Sequence, residues 1–132
     1  MRSAAAIAAL LTLAACSQAA KSPGDHKFTG LDQEILTWRQ DILNGDKLCR
    51  SVVEGQKCEG FEVVCKAERT VTPDDRARGV TAKVVAALTW NGFDVTFKQS
   101  QRATATALFT RTHGAWTRSQ HAPVNLSSCA DL

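Results

Sequence analysis

The sequence predicts an α+β domain in which one N-terminal helix packs on a four- to five-stranded antiparallel sheet. Three observations support this fold class. Apolar residues recur at helical spacing between residues 29 and 45, they alternate with polar residues from residue 61 onward, and short turn sequences separate the alternating segments. Short turns between strands with one buried face are typical of antiparallel neighbours.

The helix is predicted to begin at Thr29 and to end at Asn44-Gly45. Thr29 followed by Asp32 is typical of a capping box, and Asn-Gly is a favoured helix end. A second, short helical turn is expected within residues 48–53. One face of the main helix carries an apolar stripe for burial against the sheet: Leu31, Ile35, Trp38 and Ile42, widened by Leu36 and Leu43.

The first strand is predicted in the segment FEVVCKAER. Its alternation places four residues on one buried face: Phe61, Val63, Cys65 and Ala67. A single helical turn should follow, because Thr72 is a suitable N-cap, Pro73 fits a first helical turn and Gly79 is a helix stop.

A β-hairpin is predicted at Asn91-Gly92, the favoured pair for a two-residue type I′ turn. This register places Trp90 opposite Phe93 and keeps the apolar partners on one face. The strand before the turn should bury one alternating set: Val80, Ala82, Val84, Ala86, Leu88 and Trp90.

A second hairpin is predicted between RATATALFTRT and AWTRSQH, with its turn at His113-Gly114. Pro123 ends the last strand, and the tail is tied down through Cys129. This order, a helix followed by antiparallel strands, resembles the cystatin-like and nuclear-transport-factor-2-like layouts. The resemblance is one of element order, and it implies a sheet wrapped over the helix with room for a cavity between them.

The first 15 residues are predicted to be a signal peptide. Arg2 precedes an apolar run that is shorter than the roughly 20 residues of a membrane-spanning helix. The run ends in LAAC, which resembles the lipobox of bacterial lipoproteins and implies that Cys16 is lipidated and becomes the new N-terminus. An ordinary signal peptide or a buried apolar helix is the alternative.

The lipobox divides the chain into a signal peptide (1–15), a lipidated N-terminus with a flexible tether (16–30) and one disulfide-stapled domain (31–132). Ser17 after the lipidated cysteine resembles an outer-membrane sorting signal. We therefore expect the protein to be lipid-anchored in the outer membrane and to face the periplasm.

The cysteine count also supports lipidation. The chain has five cysteines, so an exported protein that uses Cys16 for lipid keeps four for disulfides. Four cysteines allow three pairings. We favour Cys49 with Cys58 and Cys65 with Cys129; the main rival pairs Cys49 with Cys65 and Cys58 with Cys129.

Several functional classes lack a sequence signal. The formal net charge is +3 and the basic residues are scattered, so nucleic-acid binding is not expected. The three histidines (His26, His113, His121) have no metal-ligand spacing, and the chain has neither a C-x-x-C pair nor a Gly-x-Ser-x-Gly elbow. Asp74-Asp75 fits a helix N-terminus better than a catalytic pair. We expect no metal, no cofactor and no enzymatic activity.

Five aromatic residues are candidates for a ligand pocket between helix and sheet: Trp90, Phe93, Phe97, Phe109 and Trp116. Aromatic residues at strand spacing are more often ordinary core. The leading functional hypothesis is therefore a binding or accessory module of the cell envelope, whose partner is an envelope protein or glycan. The alternatives are a small-molecule-binding domain and an inhibitor of a periplasmic glycan hydrolase or protease.

Overall fold

The computed structural model describes residues 25–51 and 53–132, in which one long helix packs on a four-stranded antiparallel sheet. The predicted signal peptide, Cys16 and residues 17–24 of the predicted tether lie outside the described residues. Two short 3₁₀ turns precede and follow the long helix, at Asp25–Phe28 and Lys47–Cys49. The helices are α1 (Leu31–Gly45) and α2 (Pro73–Ala77), and the strands are β1 (Glu59–Arg69), β2 (Val80–Asp94), β3 (Gln99–Thr112) and β4 (Ala115–Gln120).

The strands lie in the sheet in chain order, β1-β2-β3-β4, so that β1 and β4 are the edge strands. β2 and β3 form the long centre of the sheet and pair from Val80 opposite Thr112 to Asp94 opposite Gln99. β4 is much shorter and pairs only with residues 107–112 of β3. None of the helices in the described part is long and apolar enough to cross a membrane.

The main core lies between α1 and one face of the sheet, the helix face. Leu31, Ile35 and Trp38 of α1 are buried there, as the helical spacing predicts. Even-numbered residues of β2 from Val84 to Trp90 and Phe109 of β3 complete this core. Leu36, which was expected to widen the stripe, is 55% exposed on the outer side of α1 and does not belong to it.

The C-terminal tail covers the opposite face of the sheet, the tail face. Val124 and Cys129 pack there against Val85 and Ala87 of β2. The prediction that Cys65 shares the buried face of Phe61 is wrong, because β1 has register shifts between Glu59 and Glu62 and between Val63 and Cys65. Phe61 packs on the helix face, and Cys65 packs on the tail face.

The hairpin predicted at Asn91-Gly92 is also wrong. β2 continues through both residues, with Trp90 opposite Ala103, and the chain turns instead at residues 95–98. Asp94 stabilises this later turn, since its Oδ1 accepts hydrogen bonds from the backbone N–H groups of Thr96 (2.9 Å) and Phe97 (3.1 Å).

The second hairpin and α2 are confirmed. His113 and Gly114 have φ values of 49° and 83°, as a type I′ turn requires. Thr72 caps α2 in a capping box with Asp75. The start of α1 differs from the prediction, because the N-cap is Gly30, with φ 89° and no side-chain cap, rather than Thr29.

Candidate functional site

The five aromatic residues of the candidate pocket lie in different places. Trp90 and Phe109 are core residues on the helix face, and Trp116 packs half-buried against that core. Phe93, at an odd-numbered position of β2, lies on the other face, while Phe97 is 72% exposed in the turn between β2 and β3. Among the described residues these five side chains do not line one cavity.

Within the described part of the chain, one segment of β3 has no strand partner on its outer side, and we call it the free edge of β3. We use this name for the outer side of residues 99–105, which extend beyond the end of β4. In the described part of the chain, these residues pair only with β2. The last contact on the outer side is the hydrogen bond that His121 N donates to the Thr106 carbonyl oxygen (3.2 Å).

A groove of about 620 Å³ lies where β4 ends beside β3. Its floor includes Trp38 of α1 and the small side chains of Ala105 and Ala107, while Arg118 and His121 line its β4 side. Arg118 is held by an ion pair to Asp41 of α1 (2.7 Å). The groove therefore continues the line of β4 towards the free edge and has a partly apolar floor.

The loop tip, residues 95–98, adjoins the free edge. Val95 and Phe97 are exposed there, and Lys98 has a φ of 53°. The disulfide between Cys49 and Cys58 lies at the same end of the domain, because Cys58 packs close to Gly92. Two exposed apolar side chains next to an unpaired strand edge are features of a binding surface.

The described chain enters at the opposite end of the sheet. Arg111 donates a hydrogen bond from Nη1 to the His26 carbonyl oxygen (2.7 Å), and Lys27 forms an ion pair with Glu68. Trp116 Nε1 donates to the Thr29 carbonyl oxygen (2.8 Å). Residues 25–30 are therefore part of the folded domain at the end of the sheet opposite the loop tip, which we call the attachment end because the preceding residues of the chain join the domain there.

Among the titratable groups of the described residues, Asp75 has a clearly shifted pKa. Asp75 is buried and accepts hydrogen bonds from Thr72 N (3.0 Å), Arg78 Nη2 (2.8 Å) and Lys83 Nζ (3.0 Å). The hydrogen bond from the Thr72 backbone and then that from Lys83 hold the pKa of this carboxyl well below its usual range. Its partners are structural, so the group stabilises the corner between α2 and β2.

The three histidines do not all lie together. His26 and His113 are exposed at the attachment end, and His121 lies near Asp131, with 3.8 Å between its Nε2 and Oδ1 of Asp131. Within residues 25–51 and 53–132 there is no group of three His, Cys, Asp or Glu side chains that could hold a metal ion.

Fold and surface together define a disulfide-stapled α+β domain with an attachment end and an opposite end that carries an unpaired strand edge. No family model, curated protein or solved structure matches the chain.

Sequence interpretation did not predict the free edge. Its signal was present in the unequal strand lengths, because Pro123 stops β4 soon after Gly114 whereas β3 continues back to Gln99. Placing the first turn at Asn91-Gly92 obscured that difference, because it assigned residues 93–97 to a strand.

Proposed function

We propose that this protein is an outer-membrane-anchored lipoprotein that faces the periplasm and acts as a non-enzymatic binding or accessory module of the cell envelope. The observation that carries the proposal is the difference between the two ends of the domain. The chain enters beside Arg111 at one end, and the free edge of β3 and the loop tip lie at the other.

The disulfides support the anchoring part of the proposal. Cys49 bonds to Cys58, and Cys65 bonds to Cys129, so the four cysteines of the folded domain are used in pairs. Cys16 is then the odd cysteine of the chain, and it ends the lipobox-like LAAC. Two or three acyl chains on this residue would hold the domain on a membrane, since each buried CH₂ contributes about 0.8 kcal/mol.

The alternatives receive unequal support. A small-molecule binder with a cystatin-like or nuclear-transport-factor-2-like layout requires a shared cavity, and the five candidate aromatic residues lie apart. An inhibitor of an envelope hydrolase or protease has one supporting observation, the loop tip, where Asp94 fixes the backbone that presents Phe97 and Lys98. We keep the inhibitor as a special case of a protein-binding module.

Cell fractionation tests the anchoring part of the proposal. The full-length chain should incorporate labelled fatty acid and sediment with outer membranes on a density gradient. Cys16→Ala should lose the label and leave the membrane fraction, whereas the neighbouring control Ser17→Ala should retain the label and remain in a membrane fraction. Membrane retention of Cys16→Ala, or an unmodified mature N-terminus, would reject this part.

A further inference from the structure

The free edge of β3 exposes backbone groups that a neighbouring strand would normally satisfy. Thr106 directs its carbonyl oxygen outward to His121 N. Alternate residues of an antiparallel strand direct their backbone groups to the same side. Ser100, Arg102 and Thr104 therefore each present one N–H and one C=O group outward along about 13 Å of strand.

The outer edge of β1, at the other side of the sheet, is protected against strand pairing, unlike the free edge of β3. β1 contains two register shifts, and most of its side chains at alternating positions are charged, among them Glu62, Lys66 and Glu68. Bulges and charges are the usual means by which proteins prevent strand addition. The free edge of β3 has no bulge, since its pairing with β2 is regular, and it carries a single charged residue, Arg102.

We propose that the free edge of β3 binds an extended segment of a partner protein, which adds to the sheet as a strand beyond the end of β4. The proposal rests on the binding role inferred above and names its surface and the chemistry of its ligand. An unpaired row of alternating donors and acceptors is complementary to an extended peptide backbone.

The two faces of the sheet beside this edge determine which side chains the bound segment should carry. On the helix face, Ala103 and Ala105 are small and the groove above Trp38 is partly apolar, so residues pointing there should be apolar. On the tail face, the exposed Arg102 uses one donor on Thr89 Oγ1 (3.0 Å) and keeps others for a carboxylate. The favoured ligand alternates apolar and acidic residues.

Two other occupants fit less well. A two-fold pairing of two copies, centred on the free edge, would place Arg102 directly opposite Arg102, and like charges in that position are destabilising. The chain's own residues 16–24 reach at most about 31 Å when fully extended. The distance along β3 from Arg111, beside the entry point, is about 20 Å to Ala105 and about 40 Å to Gln99, so these residues could cover only the nearer half of the free edge.

Peptide binding to the full-length protein in detergent micelles tests the proposal. The probes are nine-residue synthetic peptides in which valine or leucine alternates with glutamate, and a matched panel has lysine in place of glutamate. We expect micromolar binding of glutamate peptides, at least tenfold weaker binding of lysine peptides, and NMR shift changes at the amides of residues 100, 102 and 104. Absence of binding by every glutamate peptide at 1 mM, or shift changes confined to β1, would overturn the proposal.

Variants of Thr104 separate backbone pairing from side-chain effects. Thr104→Pro removes an outward N–H and should weaken glutamate-peptide binding at least tenfold, whereas Thr104→Val keeps the N–H and should bind within about twofold of the natural chain. Equal binding by both variants would overturn strand addition.

Arg102→Glu provides a second measurement if Thr104→Pro fails to fold by circular dichroism. It should reverse the preference for glutamate over lysine peptides, and an unchanged preference overturns the proposed ligand. Peptide binding does not require lipid, so it and the membrane release of Cys16→Ala succeed or fail independently.

Discussion

Gly92 lies in the interior of β2, beneath the turn Lys47–Cys49. A Cβ atom at this position would lie 2.5 Å from Leu48 Cβ and 3.1 Å from the Leu48 carbonyl oxygen. Neither atom is the free end of a flexible side chain, so the backbone would have to move. The requirement for glycine comes from close packing, and Gly92 is not among the glycines with positive φ.

We predict that Gly92→Ala lowers the free energy of unfolding by about 1–3 kcal/mol, the usual cost of overpacking. Gly45→Ala is a matched control at the last residue of α1, where a Cβ would have no neighbour within 4 Å. The control should be neutral or slightly stabilising, because alanine favours helix over glycine. Equal denaturation midpoints for the two variants would contradict this account of Gly92.

Asp75 should make stability depend on pH. Its pKa is lowered in the folded protein by the Thr72 backbone N–H and by Lys83, so its contribution is fully present above the ordinary aspartate pKa of about 4. That contribution is lost as pH falls from there towards the lowered folded-state pKa.

Asp75→Asn should therefore reduce the melting temperature at pH 7. As the pH is lowered below 5, the melting temperature of this variant should fall less steeply than that of the natural chain. Asp74→Asn, at an exposed neighbouring carboxylate, is the control and should retain the decline of the natural chain. Melting curves across pH decide the point, and an unaltered acid decline in Asp75→Asn would contradict it.

The two hairpins show how far local sequence determines an element. His113-Gly114 forms the predicted two-residue turn because both residues adopt positive φ, and its contact with Gly79, a hydrogen bond from His113 N to the Gly79 carbonyl oxygen (3.2 Å), is compatible with that turn. Asn91-Gly92 has the stronger turn signal, yet Leu48 packs directly on Gly92 and Asp94 caps a later turn. A contact between residues 44 positions apart in the chain is not readable from turn preferences.

The distinction between local signals and distant contacts also applies to which face of a helix or strand is buried. The stripe of Leu31, Ile35 and Trp38 follows from helical periodicity, which is local, and it is confirmed. The burial of Cys65 on the tail face depends on irregular pairing of β1 with β2, which alternation alone does not indicate. The tail that Cys65 anchors therefore covers the face of the sheet opposite α1.

The two disulfides should differ in their contribution to stability. Cys65 and Cys129 close a loop with a sequence separation of 64, whereas Cys49 and Cys58 are separated by 9. Loop-closure entropy assigns the longer loop about 4 kcal/mol and the shorter less than about 3 kcal/mol. The long bridge also holds the tail, with Val124, against Val85.

We predict that replacing Cys65 and Cys129 together by serine lowers the melting temperature more than replacing Cys49 and Cys58 together. The long-bridge variant should also expose the tail to limited proteolysis near residue 124. The short-bridge variant serves as the control for loss of a disulfide. A larger loss of stability in the short-bridge variant would contradict the entropic ranking.

The whole molecule has two dissimilar ends, and anchoring at one of them should set its average orientation. β3 alone spans about 43 Å between the attachment end and the loop tip. Residues 16–24 reach at most about 31 Å, so the attachment end must stay close to the bilayer if Cys16 carries the lipid. The loop tip and the free edge of β3 then extend, on average, towards the periplasm.

Energy transfer to vesicle lipids can measure this orientation. We predict that a donor fluorophore introduced at position 113, near the attachment end, transfers more energy to headgroup acceptors than one at position 97 in the loop tip. Inserting a 20-residue glycine-serine segment after Ala20 should reduce the difference, because the longer flexible tether lets the domain move away from the surface. Equal transfer from both positions in the natural chain would contradict attachment at the Arg111 end. Stronger transfer from position 97 would mean that Phe97 and Val95 contact the bilayer, so the surface beside the free edge would face lipid rather than a periplasmic partner.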